Sequence, residues 1–352
     1  MKILAINPGS TSTKIALYDN EKEIFTQNLE HSNEALAPFK EIVDQYQMRK
    51  EAIAGVLEER GVRLHELKAV VGRGGILPPV KSGAYRVNEA MVDRLRNRPL
   101  AEHASNLGGL IAYEMAESLG IPAYIYDSVA VDEFEPIARI SGLADIKRKS
   151  LSHALNMRAA AIQAAKNAGG QYKDMTLIVA HLGGGITVSV HHKGRMIDIV
   201  SDDEGPFSPE RAGRVPCMEL AKLCYREDQN TVTKKIRGKG GLISYLNTNS
   251  ALEVEKMIAN GSEEARLVYE AMAYQIAKAI GELATVVEGK VDRVVITGGI
   301  AYSEMITGWI KKRVEFIAPV EIIAGENELR SLAMGALRVL KGEEEALVYD
   351  LD

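Results

Sequence analysis

The sequence predicts an α/β protein built from two related domains, and three observations predict it. Residues 177–190, Leu-Ile-Val-Ala-His-Leu-Gly-Gly-Gly-Ile-Thr-Val-Ser-Val, read as an apolar strand, a glycine turn and an alternating strand. Residues 3–18, Ile-Leu-Ala-Ile-Asn-Pro-Gly-Ser-Thr-Ser-Thr-Lys-Ile-Ala-Leu-Tyr, repeat that pattern about half a chain earlier, with Asn7 at the place of His181 and Gly9 at that of Gly183. Each hairpin is followed by a short polar turn and a third strand, Glu23–Gln27 and Arg195–Val200. A half-length repeat of this kind implies two related domains that face each other.

The two turns carry the chemistry. Three successive glycines cost backbone entropy, so a site that keeps them needs backbone to approach something closely. The N–H groups of such a turn form an anion nest. One phosphate-binding turn on each wall of a cleft makes a nucleotide site.

Composition agrees with two soluble domains. The 352 residues are 46% apolar and 26% charged, enough for two cores. The net charge of −5, with no long basic run, argues against nucleic acid or an anionic membrane as partner. The two cysteines, Cys217 and Cys224, lack the His/Cys set of a zinc site and are expected as buried thiols in a reducing compartment. The chain begins on a strand and no apolar run reaches membrane length, so a cytoplasmic protein is expected.

Taken in order, the first three strands precede a helix over 37–60, where Phe39, Ile42, Val43, Tyr46, Ile53, Val56 and Leu57 keep helical spacing until Gly61. Leu67–Val71 is a strand leading into Gly72-Arg73-Gly74-Gly75, where an arginine between glycines is poised for an anion. Glu89–Arg98 and His103–Leu119 read as helices. Ala123–Tyr126 is a strand ending in Asp127, either a ligand to Mg²⁺ or its waters or a helix N-cap. His153–Ala168 is an alanine-rich helix.

After the central hairpin, residues 201–214 are too polar and too rich in Pro and Gly for a regular element. So long a loop is expected to carry function through its arginines, with the acidic run Asp202–Glu204 solvated. Val215–Tyr225 and Thr231–Ile236 read as helices. Gly238-Lys239-Gly240-Gly241 lacks Walker spacing and reads as a turn. Leu252–Ile258 and Glu263–Glu288 are helices. Val291–Ile296 is a strand whose Thr297-Gly298-Gly299-Ile300 turn would let a flat ring or phosphate lie on backbone. A helix from Ser303, a strand over 314–323 and a closing helix Leu329–Leu340 complete the chain.

The motif Asn7-x-Gly-Ser-Thr-Ser-Thr-Lys14 resembles the first phosphate motif of the acetate/butyrate kinase family, within the actin, Hsp70 and sugar-kinase superfamily. His181-Leu-Gly-Gly-Gly185 resembles its second phosphate motif, and Thr297-Gly-Gly-Ile300 its adenosine motif. The resemblance covers essentially the whole chain, in the right order. Val71-Gly-Arg-Gly-Gly75 and Asp203-Glu-Gly-Pro-Phe207 look like the butyrate kinase branch.

The resemblance implies two duplicated actin-like (ribonuclease H-like) domains, residues 1–152 with 329–352 and residues 153–328. Each would be a mixed five-stranded sheet flanked by helices, with ATP in the cleft. It implies reversible phosphoryl transfer from ATP, with Mg²⁺, to butyrate or a branched short-chain acid, giving an acyl phosphate and ADP. By that likeness Asn7, Arg73, Asp127, His181 and Arg211 are catalytic. Gly9, Ser10, Thr11, Ser12, Lys14, Gly183, Gly184, Gly185, Gly298, Gly299 and Ile300 hold the nucleotide. Asp127 and Glu328 lie at the metal, with Glu326 the alternative to Glu328. A homodimer or higher homo-oligomer is the family habit.

Two departures bear on the acid. The family's carboxylate-binding arginine lies three residues before Arg73, at Val70, so Arg73 is expected to take that role from a shifted position, with Arg214 the other candidate. Ala180 replaces an aromatic and Gly72 a valine of the acetate pocket. Both are expected to widen the substrate pocket toward a four-carbon acid, each buried methylene being worth about 0.8 kcal/mol. Acetate or propionate kinase is the competing reading. An actin- or Hsp70-like ATP-driven structural protein is the distant one.

Overall fold

The computed structural model describes Met1–Asp350, so Leu351 and Asp352, the end of the expected first-domain segment, lie outside the described residues. The chain divides into two compact units, one of Met1–Asp132 with the segment from Asn327 onward, the other of Glu133–Glu326. Residues 133–152, expected with the first domain, belong to the second unit. Their backbone and an arginine tie them there. Glu135 N–H donates to the Ile197 carbonyl at 3.0 Å, and the Arg148 guanidinium bonds Asp198 at 3.0 Å, Glu204 and the Ala138 carbonyl.

The first unit is built on strands β1 (Lys2–Pro8), β2 (Ser12–Asp19), β3 (Lys22–Glu30), β4 (Leu67–Arg73), β5 (Ala84–Arg86) and β6 (Ala123–Tyr126). The second holds β7 (Thr176–Leu182), β8 (Ile186–His192), β9 (Arg195–Val200), β10 (Arg293–Gly298) and β11 (Val320–Ala324). A last strand, β12 (Leu347–Val348), returns to the first unit. The sheet orders are β12-β5-β6-β4-β1-β2-β3 and β11-β10-β7-β8-β9.

The duplication is visible in the pairing. In both sheets three antiparallel strands (β1–β3, β7–β9) are continued by two parallel ones (β4 and β6, β10 and β11). The first sheet has seven strands rather than five, because the short β5 and β12 extend it beyond β6. Neither has enough alternating residues to be read as a strand; their partners define them.

Both faces of each sheet are covered, which is why the central strands are apolar throughout. Ile3, Leu4, Ala5 and Ile6 of β1 are fully buried. On β7, Ile178, Ala180 and Leu182 face one core with the long helix Glu263–Val286, while Leu177 and Val179 face a second with the alanine-rich helix Ala154–Asn167.

Several elements differ from expectation. The helix over 37–60 is broken, and its continuous part is Tyr46–Glu59. Val314 ends the helix Glu304–Val314 instead of starting a strand. Both cysteines are free and exposed rather than buried, because the short helix Cys217–Cys224 has no buried residue. Among the described residues no helix is long and apolar enough to cross a membrane.

Candidate active site

In the first unit β1, β4 and β6 run parallel side by side, with Ile6 beside Gly72, Gly72 beside Ile125 and Arg73 beside Tyr126. Asn7, Arg73 and Asp127 therefore come to the carboxyl ends of three adjacent strands, where open α/β sheets place their ligands. Glu328, first residue of the helix Glu328–Leu340, joins two of them: its carboxylate accepts from Asn7 Nδ2 and pairs with the Arg73 guanidinium. Asp127 is buried, with its backbone at a φ of 41° that an aspartate tolerates better than most residues. No helix follows it, so it is not an N-cap. Its Oδ1 accepts from the Gly83 N–H at 2.7 Å. Ser10, Thr11 and Lys14 are exposed on the turn and strand that follow β1, and Gly9 N–H donates to the Ser12 carbonyl at 2.7 Å across that turn.

The second unit repeats the arrangement. His181, next to last in β7, lies beside Thr297 of β10, and Gly298 lies beside Ala324 of β11. Gly298 has φ 95°, and a Cβ there would stand 2.4 Å from the Leu182 carbonyl oxygen, so only glycine fits. Gly299 is exposed with open space above it, and Ile300 is half-buried.

His181 is almost wholly buried and stacks on His153 with ring centroids 4.3 Å apart. Its Nε2 lies 3.5 Å from Glu326 Oε2, which also accepts from Asn156 Nδ2 at 3.1 Å, while its Nδ1 is buried without a hydrogen-bond partner. Burial, with the neighbouring His153 adding to it, pulls the imidazole down to about 3. His181 is therefore neutral at ordinary pH, a single-proton donor. Glu328 and Glu326, alternatives in the sequence, have separate places: one with Asn7 and Arg73, the other beside His181.

Arg211 lies against the glycine turn. A Cβ on Gly185 would come 2.9 Å from its guanidinium carbon, so the missing side chain makes room for the cation. The 201–214 loop is ordered by specific bonds: Ser208 Oγ donates to the Gly184 carbonyl at 2.6 Å, and Ser208 N–H to the Arg211 carbonyl at 3.0 Å. The acidic run is not merely solvated. Asp202 pairs with Arg211 and Arg237, Asp203 with Arg237, and Glu204 with Arg148. Burial, then the Arg237 charge, lowers the Arg211 guanidinium from its ordinary value. Gly240 and Gly241 are packing residues here: a Cβ on Gly241 would stand 1.6 Å from the Ser208 carbonyl oxygen.

The two residues expected at the substrate pocket are both buried. A Cβ on Gly72 would lie 2.0 Å from the Gly108 carbonyl oxygen on the helix Asn106–Glu117, so this glycine permits strand–helix contact and opens no pocket. Ala180 is fully buried in the core on the β7 face opposite His181. Arg214 is half-exposed, bonded to Glu282 at 2.9 Å and to the Glu204 carbonyl at 2.8 Å.

Sequence reasoning passed over His153, Asp202 and Arg49. Arg49 left a signal: it shares one helical stripe with Ile53, Val56 and Leu57, and all four are buried. His153 and Asp202 left none, because their partners are distant in sequence.

The buried histidines give the fold a pH dependence. His191, between Tyr172 and Ser189, is pulled by burial and by Arg158 to about 3, like His181. Unfolded imidazoles take a proton near pH 6.5, so below that the unfolded chain binds more protons and stability falls as pH drops toward 3. Each group contributes a slope of up to about 1.4 kcal/mol per pH unit. Urea midpoints should decline between pH 7 and 4.5, and His191→Gln should flatten part of the decline. An unchanged slope in that variant would contradict it.

Residues 148–321, just under half of the chain, match the sequence model of the acetokinase family. That stretch contains His181, the glycine triplet, Arg211 and Gly298–Ile300. The solved acetate kinase of Porphyromonas gingivalis superposes with a TM-score of 0.80 at 19% identity, covering 96% of this chain and 99% of its own. A propionate kinase from Francisella tularensis subsp. tularensis SCHU S4 gives 0.73 at 18% identity, covering 95% and 98%. A ROK family protein from Streptococcus pneumoniae TIGR4 gives 0.54 at 11% identity, covering 98% and 100%. The fold is thus the duplicated α/β fold of acetate kinases and sugar kinases, the actin-like ATPase fold.

Proposed function

We propose that this chain is an acetokinase-family enzyme that transfers the γ-phosphoryl group of ATP to a short-chain carboxylate, giving an acyl phosphate and ADP, reversibly. One observation carries the reading: a buried His181 and the Arg211 guanidinium flank the Gly183–Gly185 turn, inside the segment that matches the family.

A carboxylate is already ionised at neutral pH, so it attacks phosphorus without a general base. One carboxylate oxygen forms the new P–O bond as the bond to the departing ADP oxygen breaks. The obstacle is repulsion between two anions, and it calls for positioned donors and cations. His181, neutral, donates to the moving phosphoryl rather than taking a proton. Arg211 offsets the charge on its equatorial oxygens. In the first unit the turn at 9–12 and Lys14 would bind nucleotide phosphate; in the second the turn at 183–185 would bind phosphate and Gly298–Ile300 would take the adenosine. Arg73 orients the acid.

Magnesium fits the donor set of the first unit. Among the described residues no cluster of three or more His, Cys, Asp or Glu stands ready for a metal. Mg²⁺ keeps several waters and takes one or two carboxylates plus substrate phosphates, so two carboxylates can serve it. Asp127 and Glu328 would hold it, and the ion would supply neutralisation of phosphate charge.

For the acid, we favour butyrate or a branched acid, on the strength of segments 71–75 and 203–207. Acetate or propionate is the second reading, favoured by the core positions of Gly72 and Ala180. Hydroxamate formation with ATP, Mg²⁺ and hydroxylamine separates them. A maximum at four or five carbons is expected across acetate, propionate, butyrate, isobutyrate and valerate. A maximum at acetate would transfer the assignment to the second reading. ATP turnover without any acyl hydroxamate would overturn the kinase reading itself.

A further inference from the structure

The turn after β1 rests on a buried cation that has no carboxylate partner among the described residues. Arg49, on the helix Tyr46–Glu59, is fully buried. Its Nη1 donates to the carbonyls of Gly9 at 2.8 Å and Ser12 at 2.9 Å and to Thr13 Oγ1 at 3.1 Å. Its Nη2 donates to the Ser10 carbonyl at 2.9 Å and to Gln45 Oε1 at 2.8 Å, and its Nε to the same Gln45 oxygen at 3.2 Å. Every partner is a neutral oxygen. Thr13 Oγ1 in turn meets His31 Nε2 at 2.9 Å, and burial together with Arg49 holds His31 below its ordinary range, so that neighbour is no anion either. Burial lowers the guanidinium only to about 10, which leaves it charged at neutral pH.

A buried charge is normally paired, because desolvation costs several kcal/mol and a carboxylate offsets it. Here the compensation comes from the turn's own carbonyl dipoles, and that fixes the direction of its amides. A peptide unit is planar and trans, so each N–H points opposite to the carbonyl of the same unit. With the Gly9 and Ser10 carbonyls turned to Arg49, the N–H groups of Ser10 and Thr11 point away from it, on the side where those two side chains are exposed. Successive outward N–H groups form an anion nest.

We infer that Arg49 is a positioning residue for the nucleotide phosphates: it captures the turn's carbonyls from within, so that two amides and a buried positive charge face the anion together. This rests on the kinase reading above and adds to it a residue that never touches substrate.

The test is calorimetric binding of ADP and of adenosine to the wild type, Arg49→Met and Arg49→Lys, with steady-state kinetics alongside. A charge-backed nest predicts that Arg49→Met weakens ADP by about tenfold or more, as for loss of a charge-assisted contact. Adenosine affinity and the KM for the acid should stay unchanged, and Arg49→Lys should recover part of the ADP loss. Should Arg49→Met fail to fold, Arg49→Lys and Gln45→Leu decide by the same ADP-to-adenosine comparison. ADP binding equal to wild type in the variants, or equal weakening of ADP and adenosine, would overturn the inference and leave the kinase reading standing. A wild type that binds no ADP would overturn both.

Discussion

Arg211→Ala is expected to lower kcat by about 10²–10³-fold, the usual loss when one preorganised donor to a transition-state charge is removed. The KM for ATP should move only a few-fold and the thermal midpoint by a few degrees. The fold tolerates the change because the loop is held by backbone. Ser208 N–H bonds the Arg211 carbonyl at 3.0 Å, Ala212 N–H bonds Ile236 at 3.0 Å, and Gly238 N–H bonds Glu210 at 2.7 Å. Nor does the truncation strand Asp202, which keeps Arg237 at 3.2 Å. Arg211→Lys should recover little, since an ammonium lacks the planar fork that meets two phosphoryl oxygens at once. A kcat within tenfold of wild type in Arg211→Ala, with ATP and the preferred acid saturating, would remove this residue from the transition state.

Gly72→Val is expected to destabilise the first unit by more than about 4 kcal/mol, in the range reserved for gross overpacking. The Cβ would lie 2.0 Å from the Gly108 carbonyl oxygen and 2.3 Å from its carbon, both backbone atoms of a helix packed on β4. No side chain can rotate away to relieve that contact. Reciprocally, a Cβ on Gly108 would lie 2.4 Å from the Arg73 carbonyl oxygen, so Gly108→Ala should destabilise in the same direction. Chemical denaturation measures both. A stable Gly72→Val protein whose preference moves toward acetate would restore Gly72 to the substrate pocket. Whichever way it falls, the result bears on Arg73, the next residue on the strand, whose pairing with Glu328 depends on where β4 ends.

The duplicated strand–turn–strand pattern was legible because it is local. Alternation and glycine turns determine hairpins within a dozen residues, and two hairpins about half a chain apart determine two related domains. The strand-end residues Asn7, Asp127 and His181 were legible for the same reason, each closing an apolar run with a polar side chain. Tertiary structure alone decided direction and partnership. Gly72 and Ala180 sit beside polar residues in the sequence, yet strand geometry turns them into the core, since successive side chains point to opposite faces. The acidic run at 202–204 looked solvated until three distant cations, Arg148, Arg211 and Arg237, were brought to it. β5 exists only because β6 leaves a free edge to pair with, and β12 because β5 leaves one in turn. Arg49 has its role only when its helix is laid beneath a turn that lies far earlier in the chain. Local sequence sets conformation because backbone sterics act over a few bonds. Burial, ion pairing and which way a side chain faces depend on segments remote in sequence, and only the packed chain supplies them.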